Sequence, residues 1–387
     1  MRETIESDPT RPIKRTYDKV IHDVMDDSDQ KIEELPDFSN VRTRLQRVRS
    51  SLLPPLPHEV DDVEIEGEWT KTWSKKQFLS HHDNDWGILI FATRENYRIL
   101  ERCDTIYIDG TFKTCPKPYT QFVTIHGKFQ DRVVLLVMAL LTNKTVGIYR
   151  QLLQHVKTKV RTYTGHRWRP GNVVCDFENS LKIAIETELP RSRVQTCYFH
   201  FCQSIWRKVQ ELGLAQAYKR RRRVRKLIRK FMAIGHLPVM VVRQNFNLLA
   251  NGRSTRRLIN RYPAILDFIN YVENTYINGL YPIPIWNVYN RDKDCRTNNI
   301  VEDNRWNTSV GRKHPSLWIF IRKLKDEERL ERQKIRSIRQ GRLTVKPKRK
   351  WRKLEKRIKK LKRQYQLGVR TLDEYWAAIT YCVKDYN

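Results

Sequence analysis

The chain is sparing with cysteine. It has seven, an odd number, scattered and without a Cys-x-x-Cys pair. That pattern excludes a disulfide scaffold and fits a reducing compartment. Residues 1–102 contain none, which leaves no cysteine-based zinc finger in that stretch. No apolar run approaches the ~18–20 residues of a membrane span. Met1 is followed by acidic and polar residues rather than a secretory signal. Acids are outnumbered, with 43 Asp and Glu against 75 Lys and Arg, for a formal net charge of +32. Hydrophobic residues still make up 40% of the 387, enough for a real core, which excludes wholesale disorder. These features predict a soluble intracellular protein, without membrane contact, that demands a polyanion as partner.

The charge is segregated. Residues 1–68 hold 17 acids and 10 bases, whereas 219–230 (KRRRRVRKLIRK) hold nine bases and no acid. Residues 321–363 hold 21 bases and 5 acids, so the two basic blocks carry +25 of the +32. Clusters this tight read as an interaction surface, with a solvated helix face or an import signal as the plainer alternative. The stretch KPKRKWRK at 346–353 has the composition of a nuclear-import signal, which predicts a nuclear location.

Along the chain, residues 1–66 read as an acidic, poorly ordered leader with a short basic helix near 41–52 and a Leu53-Pro54-Pro55-Leu56-Pro57 linker. A globular pattern starts near residue 86. Residues 88–92 and 105–109 are strand-like with a helix at 93–102 between them, and 119–129 and 132–142 are β-rich runs joined tightly at Asp131-Arg132. Helical spacing over 145–160 is followed by a strand at 172–176, a helix at 178–189 stopped by Pro190, a strand at 193–198 and a helix at 200–213. The order βββαβαβα predicts an α/β fold, a mixed sheet with helices on both faces, in the ribonuclease-H-like arrangement. Its core would span 86–213. A mostly helical basic insertion (214–295), a helix completing the core (296–320) and a basic helical tail (321–387) would follow.

Asp109 and Asp176 each end an apolar strand. Carboxylates brought together at one sheet edge repel unless a cation lies between them. Hard divalent ions with oxygen ligands answer that need, and Mg²⁺ is suited where phosphate is also a ligand. A pair of ions roughly 3.5–4 Å apart stabilises both attacking and leaving oxygens of a phosphodiester. Such a site needs a third acid, for which the candidate is Glu302, on an amphipathic helix with Val301, Trp306 and Val310. A lone strand-end Asp is more often a capping or turn residue; the set of three in so basic a chain weakens that reading.

These residues resemble the MULE (Mutator-like element) transposase family. Tyr107-Ile108-Asp109-Gly110-Thr111-Phe112-Lys113, then Pro116 and Thr124-Ile125-His126-Gly127, are similar to the start of its domain. Cys175-Asp176-Phe177-Glu178 resembles its second acidic strand, and Cys197-Tyr198-Phe199-His200-Phe201-Cys202-Gln203 its Cys-x-x-His segment. Thr297-Asn298-Asn299, Val301-Glu302 and then Gly311-Arg312, His314-Pro315 and Trp318 resemble its C-terminal acidic helix, although Asp303-Asn304-Arg305 stands where the family usually has Gly and an aromatic residue. The resemblance implies a ribonuclease-H-like fold with a helical insertion and a DDE triad of Asp109, Asp176 and Glu302. Two Mg²⁺ or Mn²⁺ ions would serve strand cleavage and 3′-OH strand transfer on DNA, by a homo-oligomer.

Lys219, Arg220, Arg221, Arg222, Arg223, Arg225 and Lys226, with Lys348, Arg349 and Lys350, are the candidate DNA contacts. Trp206, Trp286, Trp306 and Trp318 could stack on unpaired bases, though core packing is the commoner role. Cys197 and His200 could supply zinc ligands with Cys202, and Cys295 and His314 as distant partners. The half-site lacks a second pair, which favours His200 as a helix-start residue that orients an active-site group or touches DNA. Competing functions are a domesticated or inactive transposase acting as a DNA-binding protein, a non-enzymatic nucleic-acid binder, and a general ribonuclease-H-like nuclease.

Overall fold

The computed structural model describes all residues except Thr10, 28–35, 112–113, 131, 292–313, 343–348 and 384–387. The acidic leader, expected to hold little order beyond one helix, contains three: α1 (Arg2–Ser7), α2 (Ile13–Asp27) and α3 (Phe38–Ser51). They bury Ile5, Ile13 and Leu45 among Phe38, Val41 and Val48, an apolar set too dispersed in sequence to read as a core.

One mixed sheet of seven strands organises the centre. The strands are β1 (Leu79–Asp83), β2 (Ile88–Phe91), β3 (Thr105–Thr111), β4 (Gln121–Phe129), β5 (Arg132–Leu141), β6 (Asn172–Cys175) and β7 (Arg193–Thr196), in the spatial order β1-β2-β5-β4-β3-β6-β7. All pairings from β1 to β3 are antiparallel, whereas β3–β6 and β6–β7 are parallel. The predicted strands and helices over 86–213 are present. The added edge strand β1, Leu79-Ser80-His81-His82-Asp83, lacks the apolar alternation that announces a strand. Phe129 pairs with Arg132, so β4 and β5 are joined by a two-residue loop, and Gln130 takes φ +45°, the sign such hairpin turns require.

Alternation sorts each strand's side chains between two layers. On one face Ile106, Ile108, Val123, Ile125 and Val173 meet α4 (Arg94–Glu101), α5 (Val146–Thr164) and α6 (Asn179–Glu188). Local chemistry fixes these helices: Thr93 and Asn96 form a capping box on α4, Thr145 caps α5, and Gly165 at φ +75° ends α5.

The chain then leaves the sheet through α7 (Tyr198–Glu211) into a helical body: α8 (Ala215–Arg220), α9 (Arg222–Ala233), α10 (Val239–Ala250), α11 (Arg253–Arg261), α12 (Ala264–Val272) and the short α13 (Ile283–Trp286). This body has its own core, around Phe201, Phe231, Phe268 and Trp286. The C-terminal sequence divides three ways. α14 (Leu317–Arg339) crosses the second face of the sheet, while α15 (Arg349–Gln366) and α16 (Leu372–Thr380) return to the helical body and supply Leu361, Tyr375, Trp376 and Ile379 to its core. Among the described residues no helix is long and apolar enough to cross a membrane.

The docking of α14 closes the three-layer sandwich. Leu317, Trp318, Phe320, Ile321 and Leu324 pack on Phe122, Met138 and Leu140. The Phe320 ring stands edge-on to Phe122 at 5.0 Å, and the Glu331 carboxylate accepts the Leu135 N–H at 3.1 Å, at the bulge in β5. Phe320→Ala is expected to destabilise the protein by about 3–5 kcal/mol through loss of buried area and the cavity left behind. Denaturant unfolding checks this, and a loss below about 1 kcal/mol would show that α14 is not part of the cooperative core.

Candidate active site

The site is built by the register of two strands. β3 and β6 pair with Thr105 opposite Asn172 and Tyr107 opposite Val174. Asp109 and Asp176 follow those last paired residues by two positions each, at the C-terminal ends of neighbouring parallel strands about 4.8 Å apart. Parity gives Asp109 the face of Tyr107, the one opposite α4–α6.

Each acid is held by backbone. Asp109 is 4% exposed, its strand pairs Asp109 with Thr124, and its Oδ1 accepts the Gly110 N–H at 2.9 Å. Asp176 follows β6 directly, and its Oδ1 accepts the Glu178 N–H at 3.2 Å. The intervening Phe177 is clamped in the helical body, with its ring edge-on to Tyr281 at 4.9 Å and to Tyr276 at 5.4 Å. The Tyr281 hydroxyl donates to the Phe177 carbonyl at 2.6 Å. Asp176 is therefore wedged where sheet and helical body meet.

Burial there raises the proton affinity of Asp176 above the ordinary aspartate range; the charge of Glu178 adds to this, while His200, the Glu178 N–H and Lys144 oppose it. Sequence reasoning assigned no role to Glu178, the N-cap of α6, or to Lys144. Glu178 holds its carboxylate through the Tyr149 hydroxyl, which donates to it at 2.6 Å and also lies 2.9 Å from Gln121 Oε1. Its place two residues after the acid, at a helix start, was the available signal. Lys144 offered none.

The Cys197-x-x-His200 segment begins α7 at the same edge. Cys197 is buried against Tyr107 and Val174. Its thiol is pushed up to about 12, chiefly by desolvation, although the N–H groups of His200 and Phe199 act in the other direction. Cys202 points into the helical core beside Phe201, away from Cys197's surroundings. Among the described residues no three His, Cys, Asp or Glu side chains are grouped to hold a metal. Glu302, Cys295 and Trp306 lie outside the described residues.

Of the expected DNA contacts, Lys219, Arg220, Arg221, Arg222, Arg223 and Lys226 are exposed on α8–α9, and Arg349 and Lys350 on α15. Arg225 is half-buried and donates to the Tyr218 carbonyl at 3.1 Å and to the Lys219 carbonyl. Lys348 is outside the described residues. Trp286, Trp206 and Trp318 are structural. Trp286 stacks on Phe201 at 4.9 Å, Trp206 meets Tyr218 at 4.9 Å, and Trp318 donates to the Pro55 carbonyl at 2.8 Å.

Residues 105–204 match the family model of the MULE transposase domain. The match runs from the first residue of β3 into α7 and includes both Asp109 and Asp176. The resemblance carried by the motifs is thus borne out over that stretch, about a quarter of the chain, and points to a transposase-related function. No curated protein matches the chain.

A native pKa raised for Asp176 means that the folded state binds this proton more tightly than the unfolded chain. Stability contributed by the protonated form is present at low pH and is lost as pH rises from the unfolded value through the native one. With chelator present, Asp176→Asn is therefore expected to be more stable than the wild type at neutral pH, with the gap closing below the ordinary aspartate range. Denaturant midpoints at the two pH values test this; a variant less stable than wild type at neutral pH would contradict it.

Proposed function

We propose that the chain is a DDE-type transposase of a Mutator-like DNA element, in which Asp109, Asp176 and Glu302 hold two Mg²⁺ or Mn²⁺ ions in a ribonuclease-H-like core. The observation that carries this reading is the parallel β3–β6 pairing, from Thr105 opposite Asn172 to Tyr107 opposite Val174, with an aspartate two residues further along each chain toward the same sheet edge. The succession of three antiparallel strands followed by two parallel ones, in the order β5-β4-β3-β6-β7, agrees with a ribonuclease-H-like sheet. The described neighbours of the stretch containing Glu302 also support it. Arg291 donates to the Thr196 carbonyl at 2.5 Å, where β7 ends. The His314 ring lies 3.0 Å from the Cys115 carbonyl, in the connection that follows β3. Both anchors belong to the edge where the two aspartates sit.

The donor set fits hard divalent cations. Both acids offer oxygen ligands, and the unfavourable charge of buried Asp176 beside Glu178 is what a cation would offset. When bound, such ions would act as Lewis acids on the phosphodiester and lower the pKa of water. The protein's own contribution is placement. The Gly110 and Glu178 N–H groups fix the two aspartates, the Phe177 clamp keeps Asp176 from turning with its loop, and His200 and Lys144 add positive potential. The exposed cations of α8–α9 and α15 would hold DNA through its phosphates. The protein would act in the nucleus, as a homo-oligomer on paired DNA ends.

Asp109→Ala and Asp176→Ala are each expected to abolish Mg²⁺- or Mn²⁺-dependent cleavage of a DNA duplex bearing the element's terminal repeats, while binding that duplex within about threefold of wild type by anisotropy. Cleavage undiminished by either change would sink the assignment. DNA binding with no cleavage by wild type would favour a DNA-binding protein that has lost the chemistry.

A further inference from the structure

On the face of the sheet opposite the carboxylates, beyond the end of β2 that points away from their edge, lies a groove of about 580 Å³. Its lining includes Lys76 from the turn before β1, Arg94 and Arg98 from α4, and Lys159 and Tyr163 from α5. Arg94 and Arg98 are one helical turn apart and share a face. Tyr163 orders two of the cations, with the Arg94 guanidinium 5.6 Å and the Lys159 ammonium 6.0 Å from its ring centre. Glu95, the one acid in the lining, is already bridged to Arg339. Arg94, Arg98 and Lys159 are in no ion pair among the described residues, and Lys76 feels the Glu328 carboxylate, which Arg332 and Arg336 also serve. The floor is a rigid polar layer: the Ser80 hydroxyl is 2.8 Å from the Tyr97 hydroxyl and 3.0 Å from His155 Nε2, and His155 stacks on His81 at 4.3 Å.

Four cations converging from three elements on one concave surface, with its acid neutralised, form a receptor for phosphate oxygens. The size suits a nucleotide-sized unit. Tyr163 has its ring occupied by cations, so it serves the charges rather than stacking a base. We infer that this groove binds the phosphodiester backbone of a nucleic-acid segment distinct from the one at the carboxylates. The inference rests on the proposed action on DNA and assigns that DNA a second contact. The groove lies on the far side of the sheet, so the segment held there is a flank that passes around the core or a second duplex.

The test uses the full chain and a fluorescein-labelled DNA duplex, with affinity measured over a series of salt concentrations. Each phosphate contact contributes about −0.9 to the slope of log affinity against log salt. Combined Arg94→Gln, Arg98→Gln and Lys159→Gln is expected to make the slope shallower by about 2 to 3. A control losing the same charge from exposed positions of α3, Arg42→Gln, Arg44→Gln and Arg47→Gln, is expected to change it by less than about 1. Arg94→Lys with Arg98→Lys, which keeps the charge, should retain the wild-type slope. A groove variant no different from the α3 control overturns the inference. So does calorimetric binding of inorganic pyrophosphate that the groove variant loses while its DNA slope stays unchanged, since the occupant would then be a small phosphate compound. If wild type binds and cleaves DNA and only the groove prediction fails, the proposed function stands and this second contact falls. If wild type binds no DNA, both fall.

Discussion

The parallel pairing of β3 with β6 is the constraint on which the candidate site depends. A slip of one residue would exchange the two faces of β6 and shift Asp176 relative to Asp109. The register is pinned where the strands begin. The Asn172 N–H donates to the Asp104 carbonyl at 2.9 Å, and its side-chain amide reaches the Asp104 carboxylate at 3.1 Å. Gly171 makes this approach possible, because a Cβ there would lie 2.3 Å from Asp104 Oδ1. The Gly171 carbonyl in turn accepts the Arg193 N–H at 2.8 Å, which aligns β7. One glycine and one asparagine thus set three strands in step at one end, and the two aspartates follow toward the other.

Placing carboxylates at a buried edge is unfavourable by itself, and the surroundings show how it is sustained. Asp176 sits between a sheet with one core and a helical body with another, and Phe177 belongs to the second while β6 belongs to the first. The aromatic cluster around Phe177, Phe201, Tyr276, Tyr281 and Trp286 supplies apolar burial next to the charge, and Tyr281 satisfies the Phe177 carbonyl that the turn would otherwise strand. α7 performs the same junction. Cys197 at its start packs on the sheet, and from Phe201 onward its apolar side belongs to the helical body. A site at such a boundary is rigid because both neighbours are folded around it.

The sheet from β2 to β7 and its helices were legible because period-2 and period-3.6 patterns there are clean and bounded by caps and turns. Asp109 and Asp176 were legible for the same reason, as charges at the ends of apolar strands. What escaped were partnerships made at long range. α14 is so rich in Lys, Arg and Glu that its sequence reads as a solvated tail. Yet Lys325 is 2% exposed, held over the Trp73 ring at 4.3 Å and bonded to the Glu68 carbonyl, and Glu331 spends its charge on a backbone N–H of β5. The leader helices and β1 likewise take their order from tertiary contact rather than from propensity. Glu178 was visible as a residue and silent as a participant, because its partner Tyr149 lies 29 residues away.

The same long-range contacts change what the net charge means. α15 is basic on its outward faces, but Leu354, Ile358, Leu361 and Tyr365 form an inward stripe that anchors it to the helical body. Its cations are therefore displayed on a fixed element instead of a loose tail. Other cations are consumed inside the fold. Arg229 binds the Thr380 and Val383 carbonyls, Lys230 lies 4.8 Å over Trp376, and Arg291 ties Thr196 to Ile285. Formal charge counts these with the rest, yet none can neutralise a phosphate without unmaking a structural contact. The freely displayed charge is consequently smaller and better ordered than +32 suggests. The exposed cations of α8, α9 and α15 belong to the helical body, whereas the acids sit at the sheet edge. A carboxylate site and polycationic surfaces share one protein because the fold binds each to different elements.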